Sequence, residues 1–190
     1  MAWMYAFSLR IKNAVWCLSI CLMLITGFSC SKKKGPQETS QSESEPQTGL
    51  SVDAARLSRP FPSVILKDLE DKVIASDRIL HGKNTVVMFI SPACEPCAEE
   101  IAKWKPIIPT LEKSFQVIGI SSDPISELVY YVQEYQINFP VYSDPAADLV
   151  GYFSISTYPT LVGVTPQGIV KFIRPGYSAQ LSPSRFLQAF

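Results

Sequence analysis

Two cysteines separated by two residues, Cys94 and Cys97, are the side chains of this sequence best suited to covalent chemistry. Such a pair can interconvert between a dithiol and a disulfide, and the thiolate is the form that attacks another disulfide. The apolar run 85–90 predicts a buried strand just before the pair, and a helix is predicted just after it. Cys94 should therefore lie at a helix N-terminus, where free N–H groups stabilise a thiolate and make Cys94 the predicted nucleophile. Cys97 is predicted to resolve the resulting mixed disulfide.

Two other uses of the pair are less consistent with the sequence. Two cysteines at this spacing are half of a common zinc site, but no second pair follows and His81 is the only histidine, which we interpret as a loop residue. A static bridge across two residues closes so short a loop that it stabilises the fold little. We therefore expect no metal and no cofactor other than the redox-active disulfide Cys94–Cys97.

The first thirty residues predict export. Two basic residues precede an apolar run, 14–28, which is shorter than the ~20 residues that span a bilayer. The run is followed by a small residue, Ser29, directly before Cys30, as in a bacterial lipoprotein signal, although Gly27 stands where that pattern usually has Leu. We predict a signal peptide over 1–29 and lipidation of Cys30, with ordinary cleavage or an uncleaved anchor as alternatives. Each of these places the domain outside the cytoplasm.

Residues 30–59 are predicted to be a disordered tether, and residues 60–190 a single domain. From Ser31 to Gly49 the sequence contains no aromatic residue and no Val, Ile or Leu, so this stretch cannot form a core. Removal of the signal peptide and lipidation of Cys30 would leave one thiol pair, which favours a redox couple over a disulfide scaffold. The formal net charge is zero, which argues against nucleic-acid binding.

Alternation of apolar runs with helical patterns predicts an α/β domain with helices covering the sheet. The predicted strands are 85–90, 115–120, 138–142, 160–165 and 169–173, and the predicted helices are 98–113, 124–136, 144–153 and 184–190. Pro106 and Pro109 should bend or break the first helix, and Asp123 should cap the second. Residues 63–66 and 72–74 predict an N-terminal hairpin.

The domain resembles the thioredoxin-like thiol-disulfide oxidoreductases of the TlpA and ResA type, within the redoxin and AhpC/TSA-like superfamily. The resemblance covers residues 60–190 and depends on three features. These are the motif Cys94–Cys97 with its Glu-Pro pair, Glu100 three residues later, and Thr157–Thr160 with the turn Pro166–Gly168. It implies a thioredoxin-like fold with a central mixed β-sheet.

The resemblance also implies the substrate-binding residues. Tyr158 and Pro159 would form a cis-proline loop facing the cysteines, where an extended client segment pairs with the backbone, and Glu95 and Pro96 would lie beside it. A trans proline that begins a strand is the alternative. Glu100 would tune proton transfer around the cysteines, or else be an ordinary solvated helix acid.

Two residues depart from the family pattern. Ala93 replaces a Trp that usually precedes the first cysteine, and Met88 occupies the strand position where thioredoxin has a buried acid. The first change removes an aromatic wall beside the nucleophile. The second change removes the buried acid, so Glu100 is the candidate proton acceptor that remains in the sequence.

The expected function is reduction of disulfides in exported client proteins, with cytochrome c maturation as one implied pathway and a membrane thiol electron donor to recycle the pair. The expected location is extracytoplasmic, with a lipid anchor in the membrane. One alternative is a peroxiredoxin-like peroxidase, but Ser91 stands where that family needs Thr and Pro92 is at the wrong spacing. The other is a non-catalytic binding or redox-sensing module, which Ala93 favours.

Overall fold

The computed structural model describes residues 55–190, which form one layered α/β unit. In chain order the elements are β1 (Ile65–Lys67), β2 (Val73–Ala75), α1 (Ser76–Leu80), β3 (Asn84–Phe89), α2 (Glu95–Trp104), a short 3₁₀ helix (Ile108–Thr110), β4 (Phe115–Ser121), α3 (Ile125–Glu134), β5 (Val141–Ser143), α4 (Asp148–Tyr152), β6 (Thr160–Val164), β7 (Val170–Pro175) and α5 (Pro183–Leu187). All five predicted core strands and the N-terminal hairpin have counterparts. Helix α1 was not predicted.

The strands form one mixed sheet in the order β2-β1-β5-β4-β3-β6-β7. Strand β4 is parallel to β3 and β5, whereas β6 is antiparallel to β3 and β7, and β1 is antiparallel to β2 and β5. The predicted fold class is confirmed, including the mixed sheet and the hairpin at its edge. Helix α2 begins just beyond the carboxyl end of β3, in the middle of the sheet, and this geometry positions the cysteines.

Strand β3 is buried on both faces, which explains the unbroken apolar run from Val86 to Phe89. Val86 and Met88 belong to a cluster with Trp104 of α2, whereas Val87 and Phe89 belong to a second cluster on the other face. The first cluster includes α2, α3 and α5, and the second includes α1 and α4. Cys97 belongs to the first cluster and Cys94 packs against it, so both ends of the redox motif are attached to the core.

The helix predicted over 98–113 is wrong in extent. Helix α2 begins earlier, at Glu95, and ends at Trp104, before Pro106. A proline has no N–H to donate the hydrogen bond that continues a helix, and its ring clashes with the carbonyl four residues earlier. The rest of the predicted helix becomes turns and the short 3₁₀ helix.

The predicted cap of the next helix is also wrong. Pro124 is the N-cap of α3 and no side chain caps it. The carboxylate of Asp123 instead accepts a hydrogen bond from the hydroxyl of Ser121 at 2.7 Å. Helix α4 begins later than predicted, but Asp144 still accepts backbone hydrogen bonds in its first turn, from Asp148 at 3.1 Å and from the next residue.

The N-terminal predictions are largely outside the described residues. These are the signal peptide 1–29, the lipidated Cys30 and the tether up to residue 54. Residues 55–59 of the predicted tether are described, and the N–H of Ser58 donates to the carbonyl of Val170 at 2.8 Å. The ordered part therefore begins before Pro60. No helix within residues 55–190 has the length and hydrophobicity needed to cross a membrane.

Candidate active site

Cys94 and Cys97 are joined as a disulfide at the start of α2, with their Cα atoms 5.3 Å apart. Cys94 is the N-cap residue of the helix and has extended backbone geometry. Its sulfur accepts a hydrogen bond from the backbone N–H of Cys97 at 3.2 Å. The same N–H also donates to the carbonyl of Cys94 at 3.1 Å, and as a donor at the positive end of the helix it would also stabilise a thiolate on Cys94. The structure thus places Cys94 as the sequence predicts.

The two cysteines differ in their access to solvent. Cys97 is fully buried, whereas Cys94 is partly exposed. Glu95 and Pro96 lie between them on the surface, and Ala93 is also exposed. An incoming disulfide can therefore reach Cys94 and not Cys97.

Glu100 lies one turn beyond Cys97 on the buried face of α2 and is 3% exposed. Its Oε1 accepts a hydrogen bond from the indole Nε1 of Trp104 at 2.8 Å, and its Oε2 is 3.9 Å from the Nζ of Lys103. Burial raises the pKa of Glu100, and this effect outweighs the hydrogen bond from Trp104 and the positive charges of Lys103 and Arg174, which lower it. Glu100 is therefore not a solvated surface acid, and its carboxylate is a stronger base than usual.

A loop between β7 and α5 covers this part of α2. The ammonium of Lys103 donates to the carbonyls of Ser178 and Leu181 and lies 4.1 Å from the ring centre of Tyr177. The pKa of Tyr177 is raised, first by desolvation and then by the neighbouring carboxylate of Glu99. These contacts hold the loop next to the carboxylates of the helix.

The peptide bond between Tyr158 and Pro159 is cis, as the family resemblance implies. The loop is fixed on both sides, because the hydroxyl of Thr160 donates to the carbonyl of Thr157 at 2.6 Å and the N–H of Gly176 donates to the carbonyl of Pro159 at 2.7 Å. The backbone N–H and C=O of Tyr158 itself make no hydrogen bond to any other residue of the described range.

The cis-proline loop and the redox motif share one core. Cys94 and Tyr158 both pack against the cluster that contains the buried Cys97. Burial raises the pKa of Tyr158, and a hydrogen bond with Ser122 partly offsets this effect. Met88, at the position of the missing strand acid, is fully buried in the same cluster.

Sequence reasoning missed three residues around Glu100. Trp104 was not singled out, although its position four residues after Glu100 places both on one helix face. Lys103 lies three residues after Glu100, and this spacing also places the two side chains next to each other on the helix. Arg174 has no such spacing, since it lies on β7 opposite Leu161, and its Nε is buried without a hydrogen-bond partner in the described range. His81 ends α1, and residues 55–190 contain no cluster of acidic, histidine or cysteine residues that could hold a metal ion.

Known proteins resemble this chain both in sequence and in fold. The sequence profile described as "AhpC/TSA family" matches residues 57–173. Thiol-disulfide oxidoreductase ResA of Bacillus cereus is 27% identical over 117 residues, which are 60% of this chain and 67% of that protein. A structure titled as a putative thiol:disulfide interchange protein DsbE from Chlorobium tepidum has a TM-score of 0.63 at 18% identity, over 73% of this chain and 99% of that one. A putative thioredoxin from Neisseria meningitidis has a TM-score of 0.54 at 29% identity, over 67% of this chain and 84% of that one. These matches confirm the predicted resemblance and the thioredoxin-like fold.

Proposed function

Because the chain belongs to the AhpC/TSA family and is similar to ResA proteins in particular, we propose that it is a thiol-disulfide oxidoreductase that reduces disulfides of client proteins. The observation that carries this proposal is the asymmetry of the pair. Cys94 is accessible at a helix N-terminus with an N–H pointed at its sulfur, and Cys97 is buried behind it. This is the arrangement that a nucleophile and a resolving thiol require.

The reaction consumes one dithiol and one client disulfide. The Cys94 thiolate attacks a client sulfur, the client S–S bond breaks, and one client thiolate leaves with the electron pair of that bond. The Cys97 thiolate then attacks the sulfur of Cys94, which forms the intramolecular disulfide and releases the second client thiolate. Two electrons pass to the client, and the protons of the two protein thiols are available to the two client thiolates.

Glu100 supplies a proton acceptor for the second step. Cys97 is buried in an apolar cluster, which disfavours its thiolate. The carboxylate of Glu100 lies one helical turn away on the same buried face, and its raised pKa makes it more basic than a surface glutamate. In this proposal it accepts the Cys97 proton as Cys97 attacks.

Client segments dock on the cis-proline loop. The backbone N–H and C=O of Tyr158 have no partner within residues 55–190, so they are available to pair with an extended segment in the manner of an added strand. Pro159 holds this edge, and the exposed Glu95 and Pro96 form the opposite side of the docking surface. Binding there places a client disulfide next to Cys94.

The site of action and the partners follow from the N-terminal sequence and the family resemblance. Exported proteins with disulfides would be the clients, cytochrome c maturation would be one pathway they belong to, and a membrane thiol electron donor would reduce the pair again. The lipid on Cys30 would hold the domain at the extracytoplasmic side of a membrane. Mass spectrometry of the mature protein tests this part, because an unmodified Cys30 in the mature protein contradicts it.

Trapping in the native host tests the reaction. Full-length Cys97→Ser should accumulate mixed disulfides with clients through Cys94, and these should disappear on addition of reductant. Cys94→Ser is the matched control, because it keeps one thiol but removes the accessible one. The absence of trapped species from folded Cys97→Ser would favour the binding-module alternative. If hydrogen peroxide oxidises the dithiol of the wild-type protein faster than peptide disulfides do, the peroxidase alternative would be favoured.

A further inference from the structure

A cavity of about 320 Å³ lies beside the cis-proline loop. None of the residues that line it belongs to the redox motif or to the surroundings of Glu100. The lining residues are Phe153, Ser154, Ile155, Ser156, Thr157, Thr160, Ile173 and Pro175.

The cavity opens at the end of the sheet where the cysteines lie. Thr160 pairs with Phe89, the last residue of β3, and Cys94 follows only five residues later in the chain. Pro175 is the pairing partner of Thr160 on the neighbouring strand β7. Phe153 and Ile173 of the lining belong to the core cluster on the sheet face opposite α2, and Tyr158 packs against both clusters, so the cis-proline loop connects the cavity with the face that holds the cysteines.

The lining of the cavity suits an uncharged side chain. It contains four apolar side chains and four hydroxyl side chains, and no charged one. Two of the hydroxyls are already engaged, because Thr160 donates to the carbonyl of Thr157 and Ser154 accepts a hydrogen bond from Arg56 at 3.0 Å. A buried charge without a partner is costly, whereas an apolar side chain gains free energy by leaving water.

We propose that this cavity is a specificity site that takes one apolar, uncharged side chain of the client segment paired with Tyr158. The inference rests on the proposed function. In an extended segment successive side chains point to opposite faces, so a segment hydrogen-bonded at Tyr158 directs one side chain of each adjacent pair toward the face that holds the cavity. Backbone pairing then supplies affinity, and the cavity selects clients with a residue such as Leu, Ile or Met near the reactive cysteine.

Peptide disulfides test the assignment. Each peptide of a short series has one central cysteine joined to glutathione in a mixed disulfide. The other positions are alanine and serine, except for one flanking position that carries Leu, Asp or Lys, and this position varies across the series. The reduced full-length protein in detergent should reduce the Leu peptide at one flanking position about tenfold or more faster than the Asp and Lys peptides at that position. Equal rates at every position, or a preference for a charged residue, would overturn the proposal.

A variant that fills the cavity separates this site from the redox chemistry. Ser156 is exposed and lines the cavity, so Ser156→Phe should place a ring in it and abolish the preference for Leu. Ser184→Phe is the matched control, since Ser184 is also exposed and lines a cavity near the start of β4, at the opposite end of the sheet. Both variants should react with the small disulfide dithiobis-nitrobenzoate at the wild-type rate.

The outcomes distinguish the specificity site from the oxidoreductase activity on which it depends. A Leu preference that survives Ser156→Phe overturns the specificity site and leaves the oxidoreductase intact. A wild-type protein that reduces none of the peptides and no small disulfide overturns the proposed function, and the site with it.

Discussion

Replacement of Glu100 by Gln separates the two steps of the proposed reaction. Glutamine keeps an oxygen that can accept the 2.8 Å hydrogen bond from Trp104, and it fits the same buried space, but it cannot take a proton. Attack by Cys94 does not involve this carboxylate, so the first step should keep its rate. Removal of a positioned general base costs about 10² to 10⁴ in rate, so resolution by Cys97 should slow at least ~100-fold near pH 7.

Both steps can be followed with dithiobis-nitrobenzoate, since attack by Cys94 releases one coloured thionitrobenzoate and attack by Cys97 releases the second. Stopped-flow absorbance should show a normal first phase and a slow second phase in Glu100→Gln. The second phase of the wild type should slow as pH falls, because the carboxylate becomes protonated, and burial has raised its pKa so that this loss begins at a higher pH than for a surface glutamate. The variant should lack the part of this dependence that comes from the carboxylate.

Glu99→Gln is the matched control for this experiment. Glu99 is the adjacent acid, but it is exposed and faces the loop that contains Tyr177. It should leave both phases unchanged. Equal second phases in the wild type and Glu100→Gln, with the same pH dependence, would refute a role for Glu100 in proton transfer.

Three further substitutions test individual contacts. Trp104→Phe removes the hydrogen-bond donor to Glu100, so the pH below which the second phase slows should move upward. The free energy of unfolding, measured by thermal unfolding, should fall by about 1–3 kcal/mol. If the pH at which the second phase slows does not move, the contact is contradicted. Tyr131→Phe removes a buried hydroxyl without a partner in the described range and should raise the free energy of unfolding in urea by about 1 kcal/mol. Burial raises the pKa of Tyr131 to about 12, so the wild type should also lose stability relative to this variant as pH rises above 10. Gly163→Ala would place a methyl group inside the ring of Phe172 and should destabilise by about 1–3 kcal/mol, whereas a neutral result would refute that packing.

Local sequence signals were sufficient for most of the fold. Strand β3 is buried on both faces and its apolar run is unbroken, and the cysteines follow it directly. The helix boundaries were less accurate because they depend on competing local bonds. Asp123 has the right chemistry for a cap, but its carboxylate bonds to Ser121 and the helix begins one residue later.

The surroundings of Glu100 show what sequence reasoning could not supply. Its burial depends on packing of α2 against the sheet, so the sequence alone could not show that Glu100 is buried while the adjacent Glu99 is exposed. Arg174 approaches from β7, more than seventy residues away in the chain, with no pattern to connect them. The cavity beside the cis-proline loop likewise combines the segment before the loop with two strands, and only the fold brings these together.

The reduction potential of the Cys94–Cys97 pair tests the central claim most directly. The full-length protein in detergent would be equilibrated with glutathione or dithiothreitol buffers, and the dithiol fraction read by thiol alkylation. A reductase that draws on a membrane electron source should have a potential close to that of thioredoxin, about −270 mV. A value near −120 mV would make the protein an oxidant, and a pair that no buffer reduces would be a structural bridge. Either result would contradict reduction of client disulfides by this pair.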